Sequence, residues 1–134
     1  LLLSKYSALC NNNNIKLNIE VRTANLDHIS DTDLSMIINN LMDNAFESAK
    51  KSKEKVIDFS LIRVNNFDIL KVSNSCDTPP IDNAHKLLTT KKSKAEHGLG
   101  TRIIEKYAKK NNAEYEWLYE NDKKLFITTI IFKH

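Results

Sequence analysis

A chain of 134 residues, 41% hydrophobic and 28% charged, is long enough to bury one core and too apolar to remain disordered. Its net charge of +3 comes from dispersed basic residues, which permits an anionic ligand and gives no nucleic-acid footprint. There is no apolar run of membrane-spanning length and no signal peptide, and Cys10 and Cys76 are far apart without metal-ligand spacing. A reduced cytosolic domain is therefore expected, rather than one stapled by a disulfide.

The opening "LLLSKYSALC" is apolar and lacks an initiator Met, so the chain reads as a piece of a longer protein that begins in the end of a helix. Any membrane attachment is expected only through missing N-terminal spans. Asn11 to Asn14 are expected to break that helix. "IKLNIEV", residues 15–21, alternates as a half-buried strand should. A long helix follows, with Asp31 or Thr32 as the expected cap. In it Leu34, Ile37, Ile38, Leu41, Ala45 and Ala49 recur at helical spacing, and a lysine-rich end suits the dipole.

"VIDFSLIRV" and "FDILKVS" read as strands joined by a hairpin at Asn65-Asn66, and Pro79-Pro80 stops the second after the turn "NSCDTPP". "IDNAHKLL" reads as a short helix and "TTKKSKAEH" as a loop. "LGTRIIEKYAKKN" is a second long helix with Ile103, Ile104 and Tyr107 on one face. "AEYEWLYE" and "KLFITTIIF" pair across Asn121-Asp122. The order predicts a single-domain α/β fold, a two-layer sandwich with helices on one sheet face.

Two groups of residues carry possible chemistry. Asn40 and Asn44 lie one turn apart on the shoulder of the apolar stripe, where amides either meet water or offer oxygen to a hard cation. Glu47 lies beside them and is expected to pair with Lys51, while Asn39 and Asp43 are expected to face solvent. In "HGLGTRII", Gly98 and Gly100 are the only glycines of the chain. They open a helix either as a tight turn or as a phosphate cradle. The lysines ahead of them, Lys91, Lys92 and Lys94, either are solvated or cover a nucleotide.

Taken in this order, the motifs resemble the ATP-binding domain of the GHKL superfamily, which includes histidine kinases, gyrase and MutL. "NNLMDNA" looks like its N box, and "KVSNSCDTPP" stands in place of its first glycine box. "TTKKSKAEHGLGTRIIEKYAKK" looks like its lid and second glycine box. Within the superfamily, "DNAFESAKK", "TKKSKAEHGLG" and a first box without glycine are similar to AgrC-like sensor histidine kinases that respond to peptide pheromones.

The resemblance implies a Bergerat-type fold with a mixed, mostly antiparallel sheet. Residues 1–14 would end a preceding helical segment, and residues 15–134 would form the catalytic ATP-binding domain. Asn44 would coordinate the Mg²⁺ that bridges the phosphates of ATP, with Asn40 as catalytic support. Gly98, Leu99 and Gly100 would offer backbone donors to the phosphates, and Lys91 and Lys92 would lie in the lid. Asn74 would face the adenine amino group, where most relatives carry an aspartate. His97 would serve as a turn residue or touch phosphate, and Thr101 stands where leucine is usual.

Hydrolysing relatives carry a glutamate at the position of Asn40, so the asparagine implies transfer to a protein rather than to water. The implied partners are an upstream dimerisation and histidine-phosphotransfer domain of the same protein and a response regulator. The implied setting is the cytoplasmic side of a bacterial sensor. None of His28, His85, His97 and His134 fits the accepting histidine, so this piece is expected to bind ATP without autophosphorylating. Two alternatives stay open: a stand-alone serine kinase of the anti-sigma-factor type, and a non-enzymatic nucleotide-binding module.

Overall fold

The computed structural model describes residues 3–80 and 99–133, of which 99 and 100 by backbone alone. In chain order the elements are α1 (Ser4–Asn12), β1 (Lys16–Arg22), α2 (Asp31–Lys51), β2 (Val56–Val64), β3 (Phe67–Ser75), α3 (Leu99–Lys110), β4 (Glu114–Glu120) and β5 (Leu125–Lys133). The strands form one five-stranded sheet in the order β1-β2-β3-β5-β4, with β1 parallel to β2 and the other pairs antiparallel. This is the expected mixed α/β sandwich, with its helices on one face.

Strand alternation sorts the side chains. Ile57 and Phe59 of β2, Leu70 and Val72 of β3, and Ile130 and Phe132 of β5 point to the helices and are buried. They meet Ile37, Ile38, Leu41, Met42, Ala45 and Ala49 of α2 and Ile104 and Ala108 of α3 in one core. Burying each large aliphatic of this set contributes about 1.5–3 kcal/mol. Tyr6 and Cys10 of α1 join the same core. Both cysteines are buried and free.

With glycine nearly absent, asparagine takes several left-handed backbone positions, at Asn14, Asn65 and Asn112. Asn14 closes α1, where the Ile15 amide returns to the Cys10 carbonyl at 2.9 Å. Asn112 closes α3 in the same way, with Ala113 donating to Ala108 at 2.8 Å. Asn65 turns the expected hairpin between β2 and β3.

Three local expectations need correction. α1 runs through Asn11 and Asn12, and Asn13 caps it, its side chain donating to the Leu9 carbonyl at 2.8 Å. The cap of α2 is Ser30, not Asp31 or Thr32. Ser30 is extended and its Oγ accepts the Asp33 amide at 3.1 Å, which leaves Asp31 in the first turn to complement the dipole. β1 forms but is barely covered: Leu17 is half-buried, whereas Ile19 and Val21 are 44% and 56% exposed. The cause is position, since α2 lies over β2 and β3 and β1 is an edge strand beyond it.

Candidate functional site

Successive residues of α2 are about 100° apart, so its faces separate cleanly. Ile37, Leu41 and Ala45 turn to the core. Asn40 and Asn44 share the next ridge, and both are half-buried. The Asn40 side-chain nitrogen donates to the Met36 carbonyl at 2.6 Å, one turn back in its own helix, which leaves its oxygen and its second N–H available. Asn44 makes no hydrogen bond to any described residue. Glu47 is half-buried and makes no ion pair with Lys51, contrary to expectation.

The expectation for Asn39 and Asp43 is also corrected. The buried Tyr6 hydroxyl donates to Asp43 Oδ1 at 2.8 Å and lies 3.1 and 3.2 Å from the carbonyl oxygen and Oδ1 of Asn39. Burial, reinforced by the Asp43 carboxylate, raises the pKa of this phenol, so it stays protonated. Asn39 and Asp43 thus hold α1 onto α2. Their spacing of one turn was the only sign in the sequence; Tyr6 itself was not singled out.

The end of β3 supplies a second wall. Asn74 is only 3% exposed, and its side-chain nitrogen donates to the Ser75 carbonyl at 3.0 Å. Among the described residues its Oδ1 has no hydrogen-bond partner. A buried acceptor left that way costs about 1–3 kcal/mol unless a ligand brings a donor.

Buried hydroxyls join the two walls. Ser52 Oγ and Ser75 Oγ are 2.6 Å apart, Val56 N–H donates to Ser75 Oγ at 3.0 Å, and Lys55 N–H donates to Ser52 Oγ at 3.0 Å. Ser48 Oγ, one turn beyond Asn44, donates to the Ser75 carbonyl at 3.4 Å. The turn after β3 is fixed as well. Lys53 N–H donates to Asp77 Oδ2 and the Tyr119 hydroxyl to the Cys76 carbonyl, each at 2.8 Å.

The third wall is α3. Lys110 Nζ and Asn111 Nδ2 at its C-terminal end donate to Asp33 at the start of α2, at 3.1 and 3.2 Å. Lys110 holds the Asp33 carboxyl below the usual carboxylate range, helped by Asn111 and Ser30 and opposed by burial. α3 packs against α2. The N–H groups of Leu99 and Gly100, in its first turn, have no partner within the helix. Thr101, in that turn, is half-buried.

The expected short helix of "IDNAHKLL", the lysine loop with Lys91, Lys92 and Lys94, and His97 and Gly98 lie outside the described residues. The described residues thus place Asn40 and Asn44 on one ridge of α2 and Asn74 at the end of β3, and α2 packs against both β3 and α3. No cluster of three or more His, Cys, Asp or Glu side chains able to hold a metal exists among the described residues. A hard cation here would have to take most of its oxygens from a ligand and water, with an amide such as Asn44 as the protein's share. No described helix is long and apolar enough to cross a membrane.

Comparison with known proteins gives one family. The GHKL domain model matches residues 29–133, from the end of the loop before α2 to the end of β5. No curated protein sequence matches the chain. The nucleotide-free catalytic domain of the histidine kinase ThkA is similar in structure, with a TM-score of 0.73 at 19% identity over 98% of this chain and 88% of that one. The cytoplasmic segment of the histidine kinase QseC gives a TM-score of 0.65 at 16% identity over 99% and 71%. The Acinetobacter baumannii histidine kinase AdeS gives 0.71 at 14% identity over 98% and 60%. At these identities the likeness to the three structures establishes the fold.

Proposed function

We propose that this chain, which belongs to the GHKL domain family, is the catalytic ATP-binding domain of a two-component sensor histidine kinase. The observation that carries the reading is the buried Asn74 oxygen. Among the described residues it lacks a partner at the end of β3, and Asn44 of the neighbouring α2 likewise makes no hydrogen bond. The adenine amino group supplies the donor that this oxygen needs. A neutral amide makes a weaker bond than the aspartate of most relatives, so modest ATP affinity is expected.

Asn44 is the protein ligand for Mg²⁺, which when bound neutralises charge on the phosphates. Asn40 supports that ligand from the same ridge. Leu99 and Gly100 offer backbone N–H groups to the phosphates, with Thr101 in the same turn of α3, and Lys91, Lys92, His97 and Gly98, outside the described residues, are assigned to the same nucleotide by the family resemblance. Asn40 cannot take a proton from water, because an amide is no base at neutral pH and its nitrogen is tied to Met36. The site positions and holds a phosphate for transfer, which requires alignment more than base chemistry. The acceptor is a histidine on a separate dimerisation domain, and a response regulator follows it. The peptide-pheromone type is the subgroup whose wording the sequence shares.

Calorimetric titration with a non-hydrolysable ATP analogue, with and without Mg²⁺, tests the reading. Binding tightened by Mg²⁺ is expected; no binding at about 1 mM nucleotide would sink it. The isolated domain should also hydrolyse ATP far more slowly than the roughly 10 per second of an average enzyme. Turnover at that rate would contradict the assignment of Asn40.

A further inference from the structure

Polar contacts anchor α2 along its length. Asp33 meets Lys110 and Asn111 at its start, and Ser52 meets Ser75 just past its end. Midway, Tyr6 of α1 engages Asn39 and Asp43. Among these, only the Tyr6 contact falls on the turn that carries Asn40 and Asn44.

Its geometry is specific to that turn. In an α-helix the Asn39 carbonyl accepts the Asp43 amide, and the Tyr6 hydroxyl lies 3.1 Å from the same carbonyl. It therefore touches the acceptor carbonyl of one helical hydrogen bond and the side chain of the residue that donates it. Asn40 and Asn44 each follow a clasped residue directly, about 100° around the axis. The ring of Tyr6 is 1% exposed, and a phenylalanine would fill its space without needing any polar partner. Asp43 is exposed, so water would satisfy its carboxylate without Tyr6. Neither core filling nor the needs of Asp43 account for the hydroxyl.

We propose that Tyr6 is a positioning residue for the metal-binding turn of α2, fixing the roll of the helix so that Asn40 and Asn44 face the nucleotide. This rests on the assignment of Asn44 to Mg²⁺. The roll of the helix sets where the Asn44 oxygen points, so the hydroxyl acts on the Mg²⁺-dependent part of nucleotide affinity and leaves the adenine contact of Asn74 alone.

The test compares binding of the ATP analogue in Mg²⁺ and in chelator for the wild type, Tyr6→Phe, Asp43→Leu, Asp43→Asn and the double variant Tyr6→Phe/Asp43→Leu, with thermal unfolding measured for each. Tyr6→Phe and Asp43→Leu should each lose about three- to tenfold of the Mg²⁺ enhancement, and the double variant no more than either alone. Affinity in chelator should stay within about twofold of the wild type. Asp43→Asn keeps an acceptor and should restore the enhancement. An unchanged enhancement in Tyr6→Phe, whatever its melting temperature, overturns the proposal while leaving the ATP reading intact. A wild type that binds no nucleotide overturns both.

Discussion

Asn39 and Asp43 occupy one ridge of α2, and Asn40 and Asn44 occupy the next, about 100° around the same helix. In composition the two ridges are nearly interchangeable. The first is engaged within the chain, by a tyrosine from another helix at 2.8–3.2 Å. On the second, Asn40 uses only its nitrogen, on its own backbone, and Asn44 uses nothing among the described residues. Half-buried amides are poor helix formers, and the engaged ridge offsets that through tertiary contact. Among the described residues the other ridge makes no such tertiary contact, as expected of side chains kept for a ligand.

The comparison makes its largest claim at Asn44. Asn44→Ala should lower Mg²⁺-nucleotide affinity by about 100-fold or more, since it removes the proposed metal ligand. It should leave the melting temperature within about 2 °C, since no contact with a described residue is lost. Calorimetry and thermal unfolding read the two effects separately. If Tyr6→Phe damages binding as deeply as Asn44→Ala, the ridges do not differ in kind and the distinction fails.

Much of this frame was legible from periodicity. The 3.6-residue spacing of Ile37, Leu41 and Ala45 and the alternation in β2, β3 and β5 specify helix, strand and buried face locally. The expected break at Asn11 to Asn14 and the hairpin at Asn65-Asn66 are also found, with Asn14 and Asn65 in left-handed backbone positions. The misses share a cause, which is distance along the chain. Tyr6 meets residues 33 and 37 positions away, and no local pattern encodes that. β1 alternates as a half-buried strand should, but its exposure depends on where α2 stops covering the sheet. Ser30 outcompeted Asp31 as cap because backbone geometry, not side-chain type, selects among adjacent candidates. That β3 ends beside α2 is likewise non-local, since nothing in the spacing of Asn44 or Asn74 says so, and their assignment to one site rests on motif order.

A middle-sized effect should come from the hydroxyl pair that joins those two elements. Ser75→Ala removes the acceptor of Val56 N–H and the partner of Ser52 Oγ inside the protein. A stability loss of about 1–3 kcal/mol is expected, read from the denaturant midpoint. Nucleotide affinity should fall with it, because the end of β3 carries Asn74. That pattern, stability and binding lost together, is the opposite of the one expected for Asn44→Ala. A Ser75→Ala protein as stable as the wild type would mean that water replaces the hydroxyl and the two walls are joined by packing alone.

The smallest effect concerns Asp33, where α3 is tied to α2. Its carboxyl is held below the usual range chiefly by Lys110, so its folded pKa lies under the unfolded value of about 3.9. The ionised form is the one that stabilises. Its contribution is complete above that unfolded value and is lost as pH falls through the depressed folded one. Lys110 is largely exposed, so solvent screens the pair and the contribution is small. The stability difference between wild type and Asp33→Asn, followed by thermal unfolding, should be constant from about pH 7 to 5 and shrink below about pH 4. A difference that does not change with pH would show that Asp33 acts as a neutral hydrogen-bond acceptor. The contact ties the C-terminal end of α3 to the start of α2. Asp33→Asn should therefore disturb the nucleotide site least of all, because an amide at that position can still accept from Lys110 and keep the helix in place.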